Sequence, residues 1–338
     1  MGELRMSNLV DSYGRKHRDL RVSLTDRCNL RCTYCMPHDF SDWLASDHLL
    51  TTSELMSVIS AGVSVGIEEI RLTGGEPLLR TDIVEIVSRI SALPNAPKLS
   101  LTTNGLRLAE LAKPLADAGL ERINVSLDTL RRDRFSALTH RDRIADVFIG
   151  LTAAREAGLQ PIKINSVLMK GVNDDEAPAL LAWAISEGFS IRFIEQMPLD
   201  AGGIWDRTTM VTAGAVLASL SVDFDLTPVP DRGSSPAEEF YINGTQERVG
   251  IIASVTQPFC GACDRLRLTS DGQLRSCLFS LEEMDLRKVL RDPDLSAEQI
   301  AQEISARFQK TVSGKLPGHG INDPSFIQPR RPMSAIGG

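Results

Sequence analysis

From Asp19 onward the chain alternates short strand-like runs with longer helical ones, at the length of one strand–helix unit, and this rhythm restricts the fold most. Strand candidates are Asp19–Leu24, Glu69–Thr73, Lys98–Thr103, Arg122–Leu127, Pro161–Met169 and Ser190–Ile194. Helical stretches fall between them at Thr52–Val65, Thr81–Ala92, Arg107–Ala118, Ala145–Ala157 and Asp175–Glu187. Gly66, Gly119, Gly158 and Gly188 close four of these helices, as a left-handed cap requires. Alternating strands and helices with short connections predict parallel strands and right-handed crossovers. Six units predict an α/β partial barrel, (βα)6 and TIM-like, rather than the closed eight-stranded form.

Read with a period of two, each strand has one apolar face: Leu20/Val22, Ile70/Leu72, Leu99/Leu101, Ile123/Val125, Ile162/Ile164 and Ile191/Phe193. The opposite face is polar: Arg21/Ser23, Arg71/Thr73, Ser100/Thr102, Asn124/Ser126, Lys163/Asn165 and Ser190/Arg192. A barrel interior is ordinarily filled with Val, Ile and Leu. Cations and hydroxyls there are costly unless a ligand satisfies them. An open sheet with this face in solvent is the alternative, but all-parallel sheets are covered on both faces. The pattern therefore favours a lumen filled by a large anionic ligand.

Residues 199–338 break the rhythm and read as a separate extension to a barrel of residues 1–198, the first 18 residues being a polar lead-in. Loops rich in Gly and Pro surround a short helix near Thr212–Leu220. Strand-like Val249–Ala253, Leu266–Thr269 and Gln273–Arg275 follow, with a turn at Asp271-Gly272, then helical Leu281–Arg291 and Ala297–Phe308. The tail Gly314–Gly338, rich in Gly and Pro, predicts no regular structure, although Phe326, Met333 and Ile336 offer apolar anchors.

A net charge of −7 gives nucleic acid or an anionic membrane nothing global to hold, so a polyanion must be captured locally. Six cysteines in two triplets, without a signal-peptide pattern, predict a reducing cytoplasm and metal ligation. No apolar run reaches membrane-spanning length. His17, His48 and His140 read as surface positions.

The first triplet is Cys28-Asn-Leu-Arg-Cys32-Thr-Tyr-Cys35. One tight loop presents three soft thiolate ligands, suited to zinc or iron–sulfur. A structural zinc site needs a fourth ligand, and His38 is available. A cubane cluster held by three cysteines instead leaves one iron open. The second triplet is Cys260-Gly-Ala-Cys263 with Cys277 beyond a hairpin; it reads as another open cluster, or as a zinc ribbon closed by His319. Arg265 and Arg267 share one strand face beside it, and arginine forks suit phosphate. At the end of the second strand, Thr73-Gly74-Gly75-Glu76-Pro77 lets a ligand approach bare backbone, and Glu76 there does not read as an ordinary helix cap.

The first triplet, with Tyr34 just before its last cysteine, and the Gly-Gly-Glu-Pro stretch resemble the radical S-adenosylmethionine (SAM) superfamily. Arg18–Asn29, Thr102–Gly105, Asn124–Asp128, Gly171–Asp175, Ile191–Glu195, Cys260–Arg267 and the final Ile-Gly-Gly narrow the resemblance to the nucleotide cyclases of molybdenum cofactor biosynthesis, from about residue 10 to the end. The resemblance implies SAM, two [4Fe-4S] clusters on the two triplets, and GTP as substrate. It implies SAM contacts at Tyr34, Gly74, Gly75, Glu76, Ser126 and Met197, and GTP contacts at Arg21, Arg71, Thr102, Lys163, Arg192, Arg265, Leu266 and Arg267. Arg21, Arg265, Arg267, Gly337 and Gly338 are its implied catalytic positions. The implied reaction is reductive SAM cleavage, hydrogen removal at C3′ of the ribose and attack on C8 of guanine, giving (8S)-3′,8-cyclo-7,8-dihydroguanosine 5′-triphosphate. It also implies an external electron donor and a following enzyme that takes the product, and leaves monomer or homodimer open.

Two rivals remain at this point. A radical SAM maturase that modifies a peptide also carries auxiliary clusters, but needs a peptide-docking module that no stretch before the barrel suggests. A non-catalytic iron–sulfur or zinc protein leaves the polar strand faces unexplained.

Overall fold

A computed structural model describes residues 9–338; residues 1–8 of the polar lead-in lie outside the described residues. The six expected strands form where the alternation places them, as β1 (Asp19–Ser23), β2 (Glu69–Thr73), β3 (Lys98–Thr103), β4 (Arg122–Ser126), β5 (Ile162–Val167) and β6 (Ser190–Ile194). Between them run α1 (Thr52–Ser64), α2 (Ile83–Ser91), α3 (Leu108–Asp117), α4 (Arg132–Thr139), α5 (Ile144–Glu156) and α6 (Ala177–Ser186). Thr51 and Glu54 form a reciprocal capping box at the start of α1, which stops the cysteine-bearing loop and starts the helix. Helix α4 was not expected, because its apolar content is too sparse to show a period.

The extension contributes α7 (Ala213–Leu220), β7 (Leu226–Pro228), β8 (Glu238–Ile242), β9 (Arg248–Ile252), β10 (Arg265–Leu268), β11 (Gln273–Arg275), β12 (Met284–Asp285), α8 (Arg287–Leu290), α9 (Ala297–Ser313) and α10 (Met333–Ile336). All strands join one sheet in the order β12-β11-β10-β1-β2-β3-β4-β5-β6-β9-β8-β7. Strand β10 pairs parallel with β1, and β9 pairs parallel with β6. The extension thus adds a parallel strand at each edge of the six-stranded barrel, which the sequence rhythm did not predict. The reason is local: β9 and β10 each also belong to an antiparallel hairpin, with β8 and β11 respectively, and hairpin spacing masks the parallel pairing.

Three expectations are corrected here. The helix expected over 281–291 is broken by β12 and shortens to α8. The tail is not wholly irregular, since α10 (Met333–Ile336) forms near its end. His17 is not at the surface; it is 1% exposed.

The apolar strand faces lie under the helices, with Leu20, Val22, Ile70, Leu72, Ile123, Val125, Ile162, Ile164, Ile191 and Phe193 all buried in one continuous core. Helix α9 covers α1, where Gly62 leaves room for the ring of Phe308. A satellite cluster of Leu199, Met210, Val255, Phe279, Ile321 and Ile336 holds the tail. Among the described residues no helix is long and apolar enough to cross a membrane.

Candidate active site

The polar strand faces, both cysteine triplets and the chain's end surround one cavity of about 310 Å3. Parallel barrels place such sites at the C-terminal ends of their strands, where loops can vary without disturbing the core.

The first triplet sits in the loop after β1. Backbone N–H groups of Cys35 and Met36 both donate to the Cys32 carbonyl, at 2.8 and 3.0 Å, which curls the loop so that all three thiols line the cavity. Burial pushes the Cys28 thiol up to about 11, with the Glu76 carboxylate adding to it. Burial pushes Cys35 to about 12, reinforced by Cys28, while the Ser334 backbone N–H turned toward it pulls the other way. Cys32 is also raised well above the usual thiol range, by burial, then Asp128 and its two fellow cysteines. Three buried thiols all raised in this way become thiolates only against a metal's positive charge, so the donor set fits a cluster.

Gly74 and Gly75 line the cavity, but their lack of side chains serves the chain's own packing first. A Cβ on Gly75 would stand 2.4 Å from the carbonyl oxygens of both Asp26 and Arg27, and one on Gly74 would stand 2.4 Å from that of Thr25. The Gly75 and Glu76 N–H groups donate to Thr25 and Arg27 carbonyls, each at 2.7 Å, which fastens the cysteine loop to the end of β2. Contrary to expectation, Glu76 is a cap: its carboxylate accepts from the Leu78 N–H at 3.0 Å at the head of the short turn Pro77–Leu79. It also accepts from the Thr103 hydroxyl and the Asn104 N–H, both at 2.7 Å. Burial raises its pKa to about 7 against these three donors. Glu76 is not among the lining residues, whereas Tyr34, Ser126 and Met197 are. The Tyr34 hydroxyl donates to Asp128 at 2.8 Å, and burial lifts that carboxylate to about 6.

Arg21, Arg71, Thr102, Arg192, Arg265 and Arg267 all line the cavity. Three of these arginines have only a long ion pair: Asp19 is 3.9 Å from Arg21, Glu239 is 4.0 Å from Arg192, and Asp264 is 3.9 Å from Arg265. The Arg21 Nε is buried without a hydrogen-bond partner, as is the Asn165 Oδ1. Burial, then the charge of Arg71, depresses Arg21 to about 9; burial, then Arg21, does the same to Arg267. These guanidiniums stay charged and repel one another, so the lumen fits a polyanion such as a triphosphate.

Two expected contacts are placed elsewhere. Leu266 is fully buried in the apolar core, as alternation between Arg265 and Arg267 requires. Lys163 does not line the cavity; it lies two residues nearer the N-terminal end of β5 than Asn165, which does. Burial and the charge of Arg192 lower it to about 8.

The second triplet follows a short turn, Cys260–Ala262, and the β10–β11 hairpin, and its three thiols face the same cavity. Burial raises Cys260. Burial acts on Cys263 in the same direction, but the charges of Arg265 and Lys315 outweigh it and its pKa falls. Among the described residues no three His, Cys, Asp or Glu side chains are gathered to hold a single ion. A cubane spreads its thiolates over several irons and does not need them to converge on one point. Of the two histidines considered as zinc ligands, His38 packs edge-on against His140 and His319 lies on the ring of Phe279.

Gly338 lines the cavity and Gly337 lies at its wall, its carbonyl accepting from the Arg267 guanidinium. Sequence reasoning assigned no contact to Asn104, Asp128, Asn165 or Phe259, all of which line the cavity. Asn165 was legible, since it shares the polar face of β5; Phe259, which stacks 4.8 Å from the Arg265 guanidinium, had no periodic signal.

The model of the radical SAM superfamily matches residues 22–184, and that of molybdenum cofactor synthesis C matches residues 189–320. A GTP 3′,8-cyclase of Streptomyces coelicolor is 58% identical over 335 residues, 98% of this chain and 96% of that protein. The GTP 3′,8-cyclase of Mycolicibacterium smegmatis is 50% identical, covering 98% and 92%. The chain belongs to the GTP 3′,8-cyclase family. Among solved structures, Streptococcus suis SuiB bound to S-adenosylmethionine superposes with a TM-score of 0.61 at 14% identity, covering 82% of this chain and 67% of that one. Native anSMEcpe with bound AdoMet gives 0.60 at 15%, covering 87% and 80%. At such identities these structures share the fold, and the cyclase family assignment rests on the sequence relatives.

Proposed function

We infer that this member of the GTP 3′,8-cyclase family is a radical SAM lyase that converts GTP to (8S)-3′,8-cyclo-7,8-dihydroguanosine 5′-triphosphate, the first step of molybdenum cofactor biosynthesis. The observation that carries the reading is that two thiol triads and five arginines face one cavity. When bound, a [4Fe-4S] cluster and SAM supply one-electron cleavage and the hydrogen-abstracting radical. Cys28, Cys32 and Cys35 are the ligands for that cluster. Gly74, Gly75, Ser126 and Met197 then hold SAM, with Tyr34 fixing the loop through Asp128. Arg21, Arg71, Arg192, Arg265 and Arg267 bind and neutralise the triphosphate, and Thr102 borders the same space. The tail and the walls from Phe259 and Phe279 exclude water from it.

The finer assignment is that Cys260, Cys263 and Cys277 would hold a second [4Fe-4S] cluster, which would supply a binding position for the purine. In this reading residues 1–198 carry the SAM chemistry and residues 199–338 present the substrate, with an external donor supplying electrons and a following enzyme consuming the product. The test is anaerobic reconstitution followed by assay of SAM cleavage and of cyclised nucleotide. Cleavage lost in Cys28→Ala, and cleavage kept without cyclisation in Cys277→Ala, support the division of labour. SAM cleavage unaffected by Cys28→Ala overturns it.

A further inference from the structure

Behind the second triad lies a buried chain of polar groups that the cyclisation chemistry does not use. It begins at Asp11, 6% exposed, whose carboxylate accepts from Arg15 Nε at 2.6 Å and sits 2.9 Å from His17 Nε2. The other ring nitrogen, His17 Nδ1, is 3.4 Å from Lys315 Nζ. Lys315 is itself 4% exposed, and its ammonium lies 2.6 Å from the Arg265 carbonyl and 3.7 Å from the Cys263 sulfur.

The proton positions follow from what each group can do. A carboxylate only accepts, so His17 carries its proton on Nε2 and donates to Asp11. An ammonium only donates, so Nδ1 accepts from Lys315. The three N–H bonds of Lys315 are then all committed, to an imidazole, a carbonyl and a sulfur. Two of these acceptors are fixed by the fold: Arg265 sits in β10, and His17 lies just ahead of Arg18 and of β1, the strand that pairs with β10. The third bond is left aimed at Cys263. Arg15 fastens the surroundings by donating to the carbonyls of Cys260 at 2.7 Å, Leu316 at 2.7 Å and Pro317 at 3.1 Å. A lysine held on three sides inside a protein costs desolvation, and a surface lysine could have covered the same loop without it.

We propose that Lys315 is a positioning residue for the second triad: seated by His17 and Asp11, it donates a charge-assisted hydrogen bond to the Cys263 thiolate and makes the iron–sulfur cluster held there easier to reduce. The proposal rests on the two-cluster reading above. Its physical basis is that net charge and hydrogen bonds to ligand sulfurs set cluster potentials, and both act in the same direction here. A cation next to the ligand stabilises the more negative, reduced state.

The test is a reductive titration of the full-length, anaerobically reconstituted protein, followed by electron paramagnetic resonance. The signal that disappears in Cys263→Ala identifies the second cluster. In Lys315→Met that signal is expected to titrate at lower potential, while the first cluster's midpoint and the iron content stay as in the wild type. Lys315→Arg, which keeps the cation, is expected to recover most of the shift. Should Lys315→Met lose iron, Lys315→Gln keeps a donor without the charge and is expected to show the lowered midpoint. An unmoved midpoint in an iron-replete Lys315 variant makes the lysine purely structural and overturns the proposal. Wild-type protein that reconstitutes with only about four irons overturns the two-cluster reading and this proposal together.

Discussion

The Thr73 hydroxyl donates a 2.7 Å hydrogen bond to an oxygen of Gly338, joining the end of β2 to the end of the chain. Arg267 holds the preceding carbonyl, and the Met333 N–H donates to the Leu199 carbonyl at 2.8 Å, so the last residues are folded into the site from both sides. Ile336 is fully buried just before them, which separates anchoring from function.

Removing Gly337 and Gly338 therefore leaves Ile336 and its cluster in place. Iron content and thermal unfolding are expected to stay near wild type while GTP cyclisation collapses. Gly337→Ala tests the fit more finely: its Cβ would stand 2.9 Å from Thr73 Cγ2 and 3.0 Å from Ser23 Cβ, at a φ of +88°. Cyclisation should fall there too, with SAM cleavage retained; full cyclase activity in both proteins would assign the tail no part in the reaction.

Gly75→Ala is expected to act on the first triad rather than on nucleotide binding. Both clashing atoms are backbone carbonyls of the cysteine-bearing loop, so the loop itself must move. A loss of about 1–3 kcal/mol in stability, the usual cost of overpacking, should accompany reduced iron at the first site. Chemical unfolding and iron analysis on the same sample check this.

Arg192 and Lys163 should separate, although both lie on polar strand faces. Arg192→Ala removes a cavity-lining cation, and losing a charge-assisted hydrogen bond of about 1.5–3 kcal/mol should raise the KM for GTP roughly 10- to 150-fold. Lys163→Ala should raise it less, because that ammonium lies outside the lining. Equal effects would show that bound GTP reaches further down the lumen than the cavity does.

Lys163 also predicts a pH dependence. Its pKa is about 8 in the fold against 10.5 for a free lysine, so between these values the unfolded chain binds the extra proton. Stability of the substrate-free protein should therefore rise as pH climbs from about 8 toward 10.5, by on the order of 1–3 kcal/mol. Since thiols titrate in the same range, the measurement is the difference between wild type and Lys163→Met across that window. A difference that does not change with pH would mean that Lys163 is not held under repulsion.

The strands, the inward cations and both thiol triads were legible because each is written as a short period or a tight spacing. Arg21, Arg71 and Arg192 fall on one face by alternation alone. The same rule places the Leu266 side chain in the core, although the family resemblance implied a nucleotide contact there. What was not legible depends on contacts between distant segments. The Glu76 carboxylate also accepts from Thr103 and Asn104, which the chain returns from β3, and His17 is covered in part by residue 315. The parallel pairings of β9 with β6 and of β10 with β1 join segments far apart in sequence, and the hairpins that these strands form with their neighbours masked them.

That pairing bears on how the molecule comes into being. Synthesis proceeds from the N-terminus, so β1 and β6 emerge as raw sheet edges and stay so until residues 248–268 arrive to pair with them. Through that interval the loop with Cys28, Cys32 and Cys35 stands beside an unfinished wall. Once β9 and β10 dock, the wall is complete, and the last residues of the chain close over it. Order of birth along the polypeptide is thereby also an order of closure around the first cysteine triad.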